Sequence, residues 1–177
     1  PHGDVRDSGV TRLVVSAKAG IAGLGSQSSV AVSRDGRLVA FTGRVHEASQ
    51  VFLRYLDAEE AAPIQGTAGA SGPFFSPDGR WIGIFQEGKL TKVPIEGGTP
   101  QTIADAPSGR GAVWRSDGTI FFAPLQSGPI FQVPADGVTP RPVTTLDTTA
   151  GENSHRFPEL LDGGEVLLFT VRTGGGF

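Results

Sequence analysis

The stretch Ser76-Pro77-Asp78-Gly79-Arg80-Trp81-Ile82-Gly83-Ile84-Phe85 decides the fold, because it is a tight turn followed at once by an apolar strand. Asp tolerates left-handed backbone and Gly adopts it freely, so Asp-Gly between two apolar runs is the sequence form of a β-hairpin. The same turn stands at Ser33-Arg34-Asp35-Gly36 and Arg115-Ser116-Asp117-Gly118, and in degraded form at Leu161-Asp162-Gly163-Gly164. Its glycines, Gly36, Gly79, Gly118 and Gly164, are 43, 39 and 46 residues apart. A period of this length marks repeated units of four short strands around a common axis.

Outward from each turn the strands follow in order. Before the turns stand Val30 to Val32, Phe74-Phe75, Val113-Trp114 and Phe157 to Leu161; after them stand Leu38 to Phe41, Trp81 to Phe85, Ile120 to Ala123 and Val166 to Val171. Several runs are apolar at successive positions, which predicts sheets buried on both faces. Third strands are expected at Val51 to Leu53, Leu90 to Val93 and Ile130 to Val133, and short fourth strands near Ile64, Ile103 and Val143. Prolines beside the fourth strands suit an outer edge, where a missing N–H costs no ladder bond. The only helix-tolerant stretch, Asp57 to Ala62, is too short to hold a helix.

The fold class expected is therefore all-β: a β-propeller of four-stranded antiparallel blades, about three and a half of them in one partial domain spanning 1–177. Blades are expected at 28–70, 71–109 and 110–154, with an incomplete blade at 155–177. Thr11 to Ser16 reads as a strand with no blade of its own, the outer strand of a split blade over 10–16. Tryptophans Trp81 and Trp114 are expected to be largely buried between blades.

The repeat wording carries a resemblance. Ser-Pro-Asp-Gly-Arg followed by Trp81 to Phe85, with Val93-Pro94-Ile95-Glu96-Gly97-Gly98-Thr99-Pro100 one strand later, resembles TolB-type propellers, relatives of the WD-repeat family. That second element is nearly copied by Val133-Pro134-Ala135-Asp136-Gly137-Val138-Thr139-Pro140, and the resemblance covers about residues 28–171. Arg110 to Trp114 and Glu152 to Pro158 look most like the propellers at the C-terminus of bacterial receptor-like serine/threonine kinases. The resemblance implies a sensor or interaction domain of an envelope protein outside the membrane, with a propeller beside a hydrolase or peptidase as the alternative.

Composition narrows the function. The chain has 26 Gly and 13 Pro but 38% apolar residues, which describes a turn-dense globular fold and not a disordered one. Its net charge is −3, and its 15 basic residues are scattered, so nucleic acid and anionic membrane are poor partners. No run approaches the length of a membrane-spanning helix. Cysteine is absent, so a disulfide framework and Cys-His chemistry are excluded. Methionine is absent too, and a chain opening Pro1-His2-Gly3 is expected to be processed, tagged or cut from something longer.

Three motifs invite chemistry and fail. Gly83 to Lys89 has P-loop spacing, but Leu90 follows where Ser or Thr must hold magnesium, and a hairpin stands where the loop needs a strand-to-helix junction. Glycines 20, 23 and 25 lack the third glycine of a dinucleotide loop. Ser154 and His155 adjoin in a strand and so point to opposite faces. No catalytic residues, cofactor or metal set are expected, and three histidines (His2, His46, His155) give no zinc site.

The strongest polar cluster is Asp147, Glu152, Asn153, His155 and Arg156. A calcium site from Asp147, Glu152 and Asn153 lacks the regular spacing of a calcium loop. The favoured reading has His155 and Arg156 bonding neighbouring loop carbonyls. The alternative is ligand contact at the channel entrance, where Ser71, Arg110 and Arg156 occupy equivalent blade positions beside His155 and two arginines can hold a carboxylate or phosphate. An incomplete propeller exposes blade faces and sheet edges. The partner expected is a second copy completing the ring as a homodimer, with a self-closed four-bladed monomer as the alternative.

Overall fold

The computed structural model describes residues 30–45 and 48–174. The N-terminal strand expected at 10–16, glycines 20, 23 and 25, and histidines 2 and 46 lie outside them. The first sheet contains β1 (Val30–Val32), β2 (Leu38–Val45), β3 (Ala48–Tyr55) and β4 (Ala62–Pro63); the second contains β5 (Ser71–Phe75), β6 (Trp81–Gln86), β7 (Lys89–Pro94) and β8 (Gln101–Asp105). The third is β9 (Ala112–Trp114), β10 (Thr119–Phe122), β11 (Phe131–Pro134) and β12 (Arg141–Pro142). In each, chain order is sheet order and every pairing is antiparallel. A last sheet holds only β13 (Glu152–Leu161) and β14 (Val166–Thr173). The chain is a partial β-propeller. Among the described residues helix is limited to two three-residue turns, and no helix is long and apolar enough to cross a membrane.

Consecutive apolar residues fill two interfaces at once. Along β6, Ile82 and Ile84 join Leu38, Ala40, Val51 and Leu53 of the first sheet, while Phe85 joins Phe74, Ile120, Phe122 and Val133 on the opposite side. Along β10, Ile120 and Phe122 face the second sheet, and Phe121 packs with Ala123 and Ile130 against Leu160, Leu167 and Phe169 of the last. Strand alternation sends neighbours to opposite faces, and stacked blades bury both. Cross-blade bonds add to this: Gln86 Nε2 donates to the Ala68 carbonyl at 2.7 Å, and Lys92 Nζ to that of Ala135 at 2.8 Å.

The first two Asp-Gly turns are superposable in their bonding. Ser33 Oγ donates to Asp35 Oδ1 at 2.6 Å and accepts from Leu38 N at 2.9 Å; Ser76 does the same with Asp78 at 2.6 Å and Trp81 N at 2.9 Å. Gly36 and Gly79 both adopt φ of 70°. The third turn is one residue shorter between its strands, and Arg115 replaces the serine. Its Nη2 donates to Asp117 Oδ2 at 2.6 Å while the guanidinium lies over the Phe121 ring at 5.2 Å. The third turn is thus closed by a different side-chain bond from the first two. The Glu87-Gly88 hairpin has both residues left-handed (φ 50° and 73°), the type I′ geometry of a plain two-residue turn.

These turns make a pH prediction. Hydrogen bonds from Ser76 Oγ–H and the Arg80 amide hold the Asp78 carboxyl below the usual range, and the Arg115 side chain with the Thr119 amide does so for Asp117. A carboxyl depressed in the folded state stabilises above its unfolded pKa of about 3.9, and the contribution disappears as pH falls through the folded value. Asp78→Ala is expected to cost about 1 kcal/mol at neutral pH, the scale of one or two exposed turn bonds. Denaturant titrations should show that difference shrinking below about pH 4; a pH-independent difference would remove the carboxylate from the account.

Both tryptophans correct the expectation of deep burial. Trp81 is half-buried, its ring under Lys92 Nζ at 5.1 Å. Trp114 is half-buried because it ends an innermost strand and opens onto the channel. The last sheet starts at Glu152, three residues before 155, because Asn153 O accepts from Gly128 N (3.0 Å) and His155 N donates to Gly128 O (2.9 Å).

Candidate functional site

The four innermost strands β1, β5, β9 and β13 stand side by side around the axis. At one end of this channel the chain takes the same left-handed step three times, at Gly72 (φ 59°), Gly111 (φ 94°) and, midway along β13, Phe157 (φ 51°). Gly111 is needed there, because an added Cβ would lie 2.8 Å from Phe157 Cα. Phe157 is the exception to the glycine rule, holding a conformation that costs a bulky residue on the order of 1 kcal/mol or more. Its ring is 37% exposed and lines a narrow recess of about 40 Å³ with Gly72, Gly111 and Glu159.

Three of the residues singled out from sequence, Ser71, Arg110 and Arg156, adjoin this narrow end. Ser71 begins β5 opposite Phe85 and is half-buried. Arg110 donates its amide to the Ala123 carbonyl at 2.8 Å and accepts from the Phe157 amide at 2.8 Å. Arg156 Nε donates to Ser154 Oγ at 2.8 Å, and its Nη2 donates to the Gln126 carbonyl, a neighbouring loop. Burial pushes the Arg156 guanidinium's pKa down, and the positive charges of Arg172 and Arg110 push the same way. Arg110 and Arg156 are therefore brought together, and Arg172 of β14, absent from the sequence reading, makes a third.

His155 sits apart from that opening. It is 3% exposed, stacks on Phe169 with ring centroids 4.6 Å apart, and bonds side chains instead of loop carbonyls. Nδ1 meets Thr144 Oγ1 at 2.8 Å and Nε2 meets Glu152 Oε2 at 3.0 Å. This hydroxyl–imidazole–carboxylate line has the composition of a catalytic relay, but Thr144 Oγ1 also accepts from the Ile130 amide at 2.9 Å and the imidazole is enclosed. It fastens β13 to the loop following β12. Asp147 caps the 148–150 turn through the Thr149 and Ala150 amides, and Glu152 Oε2 accepts the Asp147 amide at 2.8 Å. Those bonds lower both carboxyls: for Asp147 the Thr149 hydroxyl leads, for Glu152 the Asp147 amide and then His155. Among the described residues no group of three or more His, Asp or Glu is placed to hold a metal ion.

The larger opening is at the other end of the channel. A cavity of about 560 Å³ lies among Val30, Val32, Phe74, Trp114, Glu159 and Leu160, rimmed by the turns that carry Arg34, Pro77, Arg115 and Gly164. Trp114 is set by Phe74, ring centroids 6.2 Å apart and tilted 58°. Burial pushes the Glu159 carboxyl up, although the residue is exposed and stands opposite Leu168 on the last sheet. The sequence reading did not anticipate this wider end; the available signal was the place of its lining residues on innermost strands beside the repeated turn.

No known family profile matches the chain, and no curated protein matches it. Solved structures do. A putative TolB from Agrobacterium tumefaciens superposes with a TM-score of 0.71 at 17% identity, over 85% of this chain and 56% of that one. A gluconolactonase from Xanthomonas campestris gives 0.63 at 16%, over 90% and 58%, and an acylaminoacyl peptidase gives 0.52 at 12%, over 81% and 27%. The chain thus spans little more than half of the first two and about a quarter of the third. Likeness at these identities speaks to the propeller fold, which hosts catalytic and non-catalytic proteins alike.

Proposed function

We propose that the chain is a non-catalytic, partner-binding propeller scaffold, the sensor or interaction part of a larger bacterial envelope protein acting outside the cytoplasm. The observation that carries this reading is the open face of the last sheet. Leu161, Val166 and Leu168 are large apolar side chains left exposed there, Leu168 by 54%, and β14 has no partner on its outer side among the described residues. At the other end of the arc Val30 and Val32 of β1 are exposed too, Val32 by 60%. Apolar faces beside an open strand edge favour association. The partner proposed is a second copy, so that the sheet begun by β13 and β14 is completed across a two-fold axis. The rival, an accessory propeller beside a peptidase domain, takes support from the peptidase likeness, and reproducible peptide hydrolysis by the purified chain would favour it.

Amide exchange at two protein concentrations tests the reading. Amides of residues 166–173 are expected to exchange more slowly as concentration rises, while those of β6 stay unchanged. Equal protection of β14 at both concentrations would count against a second copy on that edge.

A further inference from the structure

Three arginines meet beside the narrow end of the channel. Cross-strand partners share a face of the sheet, so the register that sets Arg172 opposite Ser154 turns both the same way. Arg156 reaches that face too, since its Nε donates to Ser154 Oγ at 2.8 Å. Arg110 is brought alongside by its carbonyl, which accepts the Phe157 amide at 2.8 Å. The positive charges of Arg172 and Arg110 act on the Arg156 guanidinium in the same direction as its burial, and no carboxylate offsets them. Neither Arg156 nor Arg172 has a carboxylate partner among the described residues. The acids of the adjoining loop are committed elsewhere, Glu152 to His155 and the Asp147 amide, Asp147 to the 148–150 turn. Arg156 is nonetheless held in place, because Ser154 and the Gln126 carbonyl take two of the five N–H donors of its guanidinium. Its Nη1 makes no hydrogen bond among the described residues. A half-buried cation facing like charges has lost solvation that a bound anion would replace.

We infer that this cluster binds a phosphate group, held by the fixed Arg156 guanidinium, with Arg172 and Arg110 adding charge. A carboxylate carries one negative charge, whereas a phosphate monoester carries about −1.5 to −2 near pH 7 and three acceptor oxygens. It can therefore meet guanidinium groups that arrive from β13, β14 and the loop before β9. The apolar patch given to a second copy lies toward the other end of the β13–β14 pair. Leu168 is four residues from Arg172, roughly 13 Å along the strand.

The probes are inorganic phosphate, phenyl phosphate and acetate, titrated calorimetrically into the full chain at matched ionic strength. A phosphate probe is expected to saturate at least about tenfold tighter than acetate. Tighter binding of phenyl phosphate points to an ester as the source of the group, and tighter binding of inorganic phosphate to the free ion. Arg156→Lys keeps the charge but loses the planar fork, and should weaken binding about tenfold. Arg172→Gln should weaken it about threefold; Arg172 is exposed and makes no bond among the described residues, so this variant tests the site even if Arg156→Lys folds poorly. Arg141→Gln removes the same charge from the exposed fourth strand of the third blade and should change nothing. No saturation by either phosphate up to ~10 mM, acetate equal to both, undiminished binding in both site variants, or an equal loss in Arg141→Gln would each overturn the assignment. Light scattering on the same samples reads the association state separately, so failure here leaves the partner reading standing and the reverse also holds.

Discussion

Phe122→Ala is expected to lower unfolding free energy by about 3–5 kcal/mol, a large part of the roughly 5–15 kcal/mol that holds a domain together. Phe122 is fully buried, the largest such side chain among the described residues, and it lies between the second and third blades against Phe131, ring centroids 6.3 Å apart. Truncation removes the transfer free energy of a whole ring and leaves a void that two rigid sheets cannot close. Trp114→Ala should cost less although it deletes a larger side chain, because half-buried Trp114 already borders the channel. Urea titrations of the two variants rank them directly. The reverse order would mean that the blades meet through their innermost strands and not through their middles.

Gly83→Ala is expected to cost about 3 kcal/mol, the upper end of overpacking in a close-packed interior. Gly83 pairs with Phe74 across β5 and β6, and an added Cβ would fall within the Phe74 ring. The ring has little room to withdraw, since it is itself buried against Trp114 and the third blade. Adding Phe74→Leu should recover part of the loss, the signature of two residues competing for one volume. If the double variant is as unstable as the sum of the singles, the glycine is needed for some other reason. Gly83, the first residue of a P-loop-like spacing, is thus explained by the seat it gives an aromatic ring.

Blades were readable from sequence because their determinants are local. Asp-Gly turns need left-handed backbone within a few residues, and runs such as Ile82-Gly83-Ile84-Phe85 announce burial on both faces without knowledge of the neighbours. Fourth strands at Ala62–Pro63 and Arg141–Pro142 follow from proline's tolerance of edges. The site was less readable. Arg110 and Arg156 came together because blade repetition is itself a local signal, but Arg172 arrives through the β13–β14 register, with Ser154 opposite Arg172. Thr144 meets His155 across a loop whose path no periodicity encodes. Which end of the channel widens depends on how the blades are inclined to one another, so the residues lining the wider end carried no mark of it.

The claim that this partial propeller works by offering its open face to a second copy is tested most directly by the solution mass of the purified chain, followed by light scattering over a range of concentrations. The account predicts twice the single-chain mass at high concentration, a melting temperature that rises with concentration, and reversion to a single chain in Leu168→Glu, which puts a charge on the exposed face. A single-chain mass at every concentration, with a melting temperature that does not move, would contradict it.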